Sequence, residues 1–469
     1  MSTLHDLTLT ELSAGLAAKR FSSREVVDAL LVRIAKADGK LHAFTEVYAK
    51  EARALADAAD TARMSGFPLP PLHGLPIAYK DLCDIAGRVG TGGSRMFEDR
   101  IASVTSNTVE RLTAAGMVPL GKLHMVEFAF GGWGTNPLMG APWNPWDLGT
   151  HHVPGGSSSG TGVAVAARLT PAGIGSDTGG SVRIPSAFNG LVGFKVTFGR
   201  IGLSGTMLLS WSFDSIGPMA RSVEDCALLL NALAAPDSRD PTTLDQPLED
   251  FTEAVRPGSI EGLRIAMPDT RQLPNFMHAD VTKAWQAAGR TFESLGATVE
   301  AVRLPDWFFD LSRPAGTLIA SEAYSLHRDY IEDMSKAIGP GVRARAQAAK
   351  TLLPGAYAEE LRAVAARRRA FNEWFAMHDA ILLPTMAIPA IPLSEVDETS
   401  PIPGYLTRPA NYLGLCSLAM PSGLSGGLPV GIQIVGKPFA ERAVLRLGKA
   451  FQDATDFHRR APDLSALGL

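Results

Sequence analysis

Cysteine is almost absent: Cys83, Cys226 and Cys416 are the only three in 469 residues. An odd, widely spaced set excludes a disulfide framework and a cysteine metal knuckle, and it suits a reducing compartment. Charge of one sign is also lacking. The 44 lysines and arginines stand against 48 aspartates and glutamates, net −4, which leaves no footprint for nucleic acid and no basic membrane patch. Long apolar runs are missing. The most apolar, CALLLNALAA from Cys226 to Ala235, is about half of what a bilayer span requires. The opening MSTLHDLTLTELSAGL has neither the basic start nor the apolar core of a secretory signal. The expectation is a soluble cytoplasmic protein with no membrane and no nucleic-acid partner.

What is present is helix, then glycine. Thr8 with Glu11 and Ser22 with Glu25 have capping-box spacing. Val26, Val27, Leu30, Leu31 and Ile34 then share one helical face. Helical pattern is expected to about Arg63, where GFPLPPLHG ends it. From there to about Leu230 glycine is dense, and the short apolar runs LPIAY, MVPLG, AGIGS and LVGFKV alternate with helices such as Asn107 to Ala115. That alternation argues for an α/β sheet. Residues 236–250 read as a surface loop. LRIAMP and ATVEAVRLP read as strands around a helix from Asp280 to Leu295, and a helical stretch runs from about Ser321 to Met377 with breaks at GPG and LPG. AILLPTM and GLPVGIQIVG return to strand pattern. Length alone allows about three domains, but the late strands are expected to complete one sheet. The chain is therefore divided as 1–65, an N-terminal helical segment; 66–235, the core; and 236–469, the remainder, all within one domain.

The stretch VPGGSSSGTGVAVAA, Val153 to Ala167, has several readings. A flexible linker conflicts with the short apolar helix that follows. A phosphate-binding loop needs a lysine where Thr161 stands. GSSSG matches the nucleophile elbow G-x-S-x-G with Ser158 at its centre, but no strand precedes it and no later histidine sits in a marked motif. Downstream, GSDTGGSVRIPSAFNG places Thr178, Gly179, Gly180 and Ser181 in a tight turn whose N–H groups can form an oxyanion nest. Ser181 is then a nucleophile candidate. Neither motif holds a histidine base. The remaining candidate is Lys80, which ends an apolar strand where burial lowers an ammonium pKa.

Together HGLPIAYKD, PGGSSSGTGVAVAA and GSDTGGSVRIPSAFNG resemble the amidase signature family. HMVEFAFG, NPW, GFKVTFGRI, LLPT and GLPVGIQIVGKPF follow in family order, so the resemblance spans about residues 5–455. It implies one large α/β domain with a mixed central sheet covered by helices on both faces. It implies Ser181 as acyl-accepting nucleophile, Ser157 as bridging serine on a cis peptide bond, and Lys80 as base. The backbone of Thr178, Gly179, Gly180 and Ser181 matches the oxyanion hole, with Ser158, Asp177 and Arg183 in support. Specificity is expected from the loops near 125–146, where Met125 and Trp133 are the substrate-binding candidates, and from a helical insert about 305–410. Phe128, Phe130 and Trp143 lie in the same wall segment. His151 and His152 stand where the family often carries an arginine, and a surface or packing role is expected for them. No cofactor and no metal are implied, and the reading leaves room for a homodimer.

By length, neither a fatty-acid amide hydrolase, which adds an N-terminal membrane helix, nor an allophanate hydrolase, which often adds a C-terminal domain, is expected. The expected activity is hydrolysis of small neutral amides, with esters, carbamates and urea-like compounds sharing the same carbonyl chemistry. The alternative is the glutaminase subunit of a glutamyl-tRNA amidotransferase-like complex. A non-catalytic scaffold conflicts with the intact Lys80, Ser157 and Ser181.

Overall fold

The computed structural model describes residues 3–246, 248–353 and 355–469. Helices α1 (Leu9–Ala17), α2 (Ser23–Leu41) and α3 (Ala49–Met64) open the chain. Both capping boxes form, with Thr8 and Ser22 each accepting from the N–H three residues on and Glu11 and Glu25 reaching back. The predicted α2 face, Val26 to Ile34, is buried. The helical reading fails between α2 and α3, where β1 (Phe44–Val47) pairs antiparallel with a later strand. Four residues with one fully buried side chain are too few to show a period of two.

Strands β2 (Pro76–Lys80), β3 (Val118–Leu123), β4 (Ala172–Ser176) and β5 (Val192–Lys195) occupy the expected runs. Between them lie α4 (Asn107–Ala114), α5 (Ser159–Ala166) and α6 (Arg183–Asn189). Then come β6 (Ile216–Ala220), α7 (Val223–Leu233), β7 (Arg264–Pro268), α8 (Ala279–Ser294) and β8 (Thr298–Val302). The segment from 236 is mostly turns, pinned by the Asp237 N–H donating to Thr243 at 2.8 Å; Pro247 within it lies outside the described residues. The helical stretch expected from about Ser321 begins earlier, at Ser312, as α9 (Ser312–Ile331), α10 (Pro340–Gln347) and α11 (Ala356–Phe375). Its GPG break opens α10; of the LPG break, Pro354 lies outside the described residues. β9 (Ala380–Pro384), α12 (Ile402–Tyr405), α13 (Arg408–Leu413), β10 (Cys416–Ser425), β11 (Leu428–Gly436) and α14 (Glu441–Asp453) complete the chain.

Among the described residues eleven strands form one mixed sheet, in the order β1-β3-β2-β4-β6-β5-β10-β11-β9-β7-β8. β2 runs parallel to β3 and β4, and β7 parallel to β8 and β9; the other neighbours are antiparallel. Helices cover both faces. A Cβ on Gly193 or Gly431 would meet Ser186 or Ala187 of α6, whereas one on Gly448 of α14 would meet Leu418 and Met420, which point to the opposite face of β10 from Ala419, the partner of Gly193. The parallel pair β2 and β4, with Tyr79 level with Ile174, ends at one edge on Lys80 and Ser176. No helix among the described residues is long and apolar enough to cross a membrane.

Candidate active site

Every residue of β2 is buried, so the strand carries Lys80 into the interior with no water to solvate an ammonium. Burial pushes its pKa down to about 7, against the opposing pull of Asp214 and Asp177. Nζ donates to Ser157 Oγ at 2.7 Å and to Ser176 Oγ at 2.8 Å. Ser176 has no counterpart among the sequence candidates. It lies in GSDTGGSVRIPSAFNG unmarked as a site residue, and its further signal is its place at the end of β4, parallel to the strand that ends on Lys80.

Ser157 follows a cis peptide bond from Gly156. The 131–134 loop packs backbone to backbone here, with Gly155 N–H donating to Trp133 O at 3.1 Å and Gly156 N–H to Gly132 O at 2.8 Å. A Cβ on Gly156 would fall 2.8 Å from Gly134 N and 2.9 Å from Gly131 O, so glycine is required for this approach. Ser158 Oγ accepts from Ser176 N–H and donates to Ser176 O, both at 3.3 Å. The central serine of GSSSG thus braces the second partner of Lys80.

Asp177 is fully buried and organises the turn that carries Ser181. Arg183 grips it bidentately, Nε to Oδ2 and Nη2 to Oδ1, each 3.0 Å. Asn411 Nδ2 donates to Oδ1 at 2.8 Å, and the Arg183 fork also reaches Asn411 Oδ1 at 2.7 Å and Gln433 Oε1 at 2.9 Å. Burial by itself would raise the Asp177 pKa, but the Arg183 charge and these donors hold it well below the usual carboxylate range. The four-donor nest needs one correction. Gly180 N–H donates to Asp177 Oδ1 at 2.8 Å and is not free for a ligand. The N–H groups of Thr178, Gly179 and Ser181 have no protein partner among the described residues, and these three residues line the cavity. Thr178 Oγ1 is anchored on Asp214 at 2.5 Å, a buried carboxylate whose pKa burial raises to about 6.

The cavity has a volume of about 1180 Å³. Ser181, Phe130 and Trp133 line it, but Met125 does not: it is fully buried, and its carbonyl accepts from Asn136 at 3.1 Å. Trp133 is only 3% exposed; it packs with Val153, Ile184 and Phe188, and its Nε1 donates to Asp397 O at 3.1 Å. Phe128 stacks on His327 and Trp143 on His151, both away from the cavity lining. His151 also contacts Pro142 O at 3.1 Å, and His152 faces Asp147 at 3.5 Å. The lining also carries charge that no sequence motif marks: Asp310, Arg313, Arg345, Glu398 and Arg408. No cluster of potential metal ligands occurs among the described residues. The arrangement offers a buried amine of low pKa bonded to the Ser157 hydroxyl, a serine on the cavity wall at Ser181 and three N–H groups without a protein partner among the described residues, a set suited to acyl transfer.

Residues 25–445 match the family model described as Amidase. The chain is 40% identical to the A subunit of the glutamyl-tRNA(Gln) amidotransferase from Azotobacter vinelandii, over 98% of this chain and 100% of that protein. Among solved structures it is similar to a chain of a vestigial protein complex bearing on the origins of an s-triazine catabolic enzyme, with TM-score 0.89, 34% identity, and 95% of this chain and 98% of that chain covered. It is also similar to the peptide amidase of Stenotrophomonas maltophilia, with TM-score 0.85, 30% identity and coverage of 97% and 98%.

Proposed function

The chain belongs to the amidase family, and from that premise we propose that it hydrolyses the C–N bond of a small amide through an acyl-enzyme on Ser181. The observation that carries this is the fully buried Lys80 donating to Ser157 at 2.7 Å. A neutral Lys80 draws a proton through Ser157 as Ser181 attacks the carbonyl. The N–H groups of Thr178, Gly179 and Ser181 receive the oxyanion. Ser157 returns the proton to the departing amine, and water then repeats the sequence to release an acid. Ser158 holds Ser176, and Asp177 with Arg183 holds the Ser181 turn; these act through position.

Two finer readings share this chemistry: a stand-alone hydrolase of neutral amides, and the glutaminase subunit of an amidotransferase-like assembly. The amidotransferase relative, aligned over its whole length, and the charged side chains in the cavity favour the second. Ammonia and amine release should be measured for the purified chain with L-glutamine, an aryl amide and an aryl carbamate side by side. Aryl turnover by the chain alone selects the first reading. Glutamine turnover, or activity only after a partner subunit is added, selects the second. Turnover that persists in Ser181→Ala sinks both.

A further inference from the structure

Arg408 opens α13 beside the Ser181 turn and lines the cavity. Its guanidinium sits among glycines from three separate segments. A Cβ on Gly404 would fall 2.5 Å from Nε, one on Gly179 3.4 Å from Nε, and one on Gly316 3.4 Å from Nη1. Glycine at 404 is thus needed for this side chain, Gly179 and Gly316 lie in contact with it, and Thr407 next to it is tied to Gly179 O at 2.6 Å. The charge, however, has no protein counterpart. The one hydrogen bond of the guanidinium is long, Nη1 to Ser312 O at 3.4 Å, which leaves most of its five donors unused. Among the described residues no carboxylate lies within ion-pair distance of it. The nearby Glu398 is held by Arg345 at 2.8 Å. Arg408 is half-buried; desolvation, with the charge of Arg345, lowers its pKa to about 10, and no acidic group offsets this. Three fully buried cations are matched by carboxylates, Arg183 by Asp177, Lys122 by Asp81 and Arg200 by Glu441, and the buried arginines without one, Arg33, Arg221 and Arg343, are held by backbone carbonyls at 2.9–3.2 Å; Arg408 has neither a carboxylate nor a carbonyl so close. The charged lining, three arginines against Asp310 and Glu398, has one positive charge in excess.

We propose that Arg408 anchors a carboxylate on the substrate, so that the amide cleaved here is a short-chain amido acid and not a neutral aryl amide. The inference rests on the amidase reading for the position of the scissile carbonyl. A guanidinium fork matches a carboxylate bidentately, and one monoanion balances the excess charge. Gly179, which Arg408 touches, is two residues from Ser181. With about 3.8 Å per residue step, carboxylate and carbonyl are separated by only a few bonds.

The test compares succinamate and glutaramate with their neutral partners succinamide and glutaramide. At least one acid should be preferred over its diamide by about 10- to 100-fold in kcat/KM, mostly through KM, the usual range for a charge-assisted pair. Arg408→Gln should bring that ratio to near one, and Arg408→Lys, which keeps the charge but loses the fork, should retain part of it. The wild-type comparison needs no variant and stands even if Arg408→Gln does not fold. Calorimetric titration of Ser181→Ala protein with the same four compounds reads the anchor without turnover. Acid binding that depends on Arg408 in a chain that cleaves no amide would refute the amidase reading and leave the anchor standing. Diamides bound and cleaved as well as the acids, failure of both acids to bind, or an acid preference unchanged in Arg408→Gln would overturn the anchor.

Discussion

The pH dependence of turnover follows from where Lys80 sits. Its side chain has no exposure, and burial sets its pKa at about 7. Only the neutral amine accepts a proton from Ser157. With a midpoint near 7, about one-eleventh of the amine is neutral at pH 6 and about ten-elevenths at pH 8, so kcat/KM should climb about tenfold over that interval and then level. An unperturbed lysine, near 10.4, would still be climbing at pH 9. The same burial has a stability consequence of definite sign. Between about pH 7 and 10.4 the unfolded chain holds a proton on this lysine that the folded chain does not, so folding stability from this group rises with pH across that window. Below about pH 7 the full cost of a buried ammonium remains, on the order of 5 kcal/mol. Lys80→Met removes both effects. The assay is kcat/KM from pH 5.5 to 9 at fixed ionic strength, with urea unfolding of both proteins at each pH. A midpoint at 9 or above, a flat profile with chemistry shown to be rate-limiting, or measurable turnover with the same profile in Lys80→Met would refute the reasoning.

Ser181→Ala should abolish turnover, Ser157→Ala should lower it by orders of magnitude with a residue left by water as relay, and Ser158→Ala should be the mildest of the three; full loss in Ser158→Ala with activity kept in Ser181→Ala would reverse the assignment. Asp214→Asn removes the negative charge that raises the Lys80 pKa most, so the midpoint of the kcat/KM profile should move to lower pH; a shift to higher pH contradicts the electrostatics. Asp177→Asn leaves Arg183 buried without its counter-charge and should cost about 3–5 kcal/mol in urea unfolding. The depressed pKa of Asp177 means that its stabilisation is present above about pH 4 and lost as the pH falls, so an unchanged unfolding midpoint at pH 7 would show that the pair does not hold the turn.

How much of the molecule is legible in its sequence follows from how each signal is written in the chain. β2, β3, β4 and β5 are apolar runs bounded by glycine or proline, and both capping boxes are local patterns of four residues. β6, IGPMA, carries glycine and proline inside the strand, and β10, CSLAMPSGLS, contains Pro421 beside a register shift; both residue types argue against a strand when read locally. Pairing across the sheet overrides them. At the site, Lys80, Ser157, Ser181, Asp177 and Arg183 stand inside three short motifs and are legible together. Ser176, Asp214, Asn411 and Gln433 are not marked as site residues by any of them. Gln433 meets Arg183 across 250 residues of sequence, a separation that no periodicity reports.

The substrate side shows the same limit in a sharper form. Trp133 is a sequence candidate because a large flat ring beside the cleft favours aryl groups. In the structure its ring is 3% exposed and its indole N–H is already bound to Asp397 O, so most of its surface is spent on packing against Val153, Ile184 and Phe188. What remains open to a ligand is decided by residues far from the motifs: Arg345 on α10, Glu398 before α12, and Arg408 at the head of α13. In the sequence each is an ordinary charged residue. Arg345 with Glu398 neutralises itself and Arg408 does not, and that difference exists only once the two helices and the Ser181 turn are brought to one cavity. The residues of the Ser181 turn are thus written locally, in contiguous motifs, whereas the charge of the cavity is a sum over wall residues far apart in the sequence.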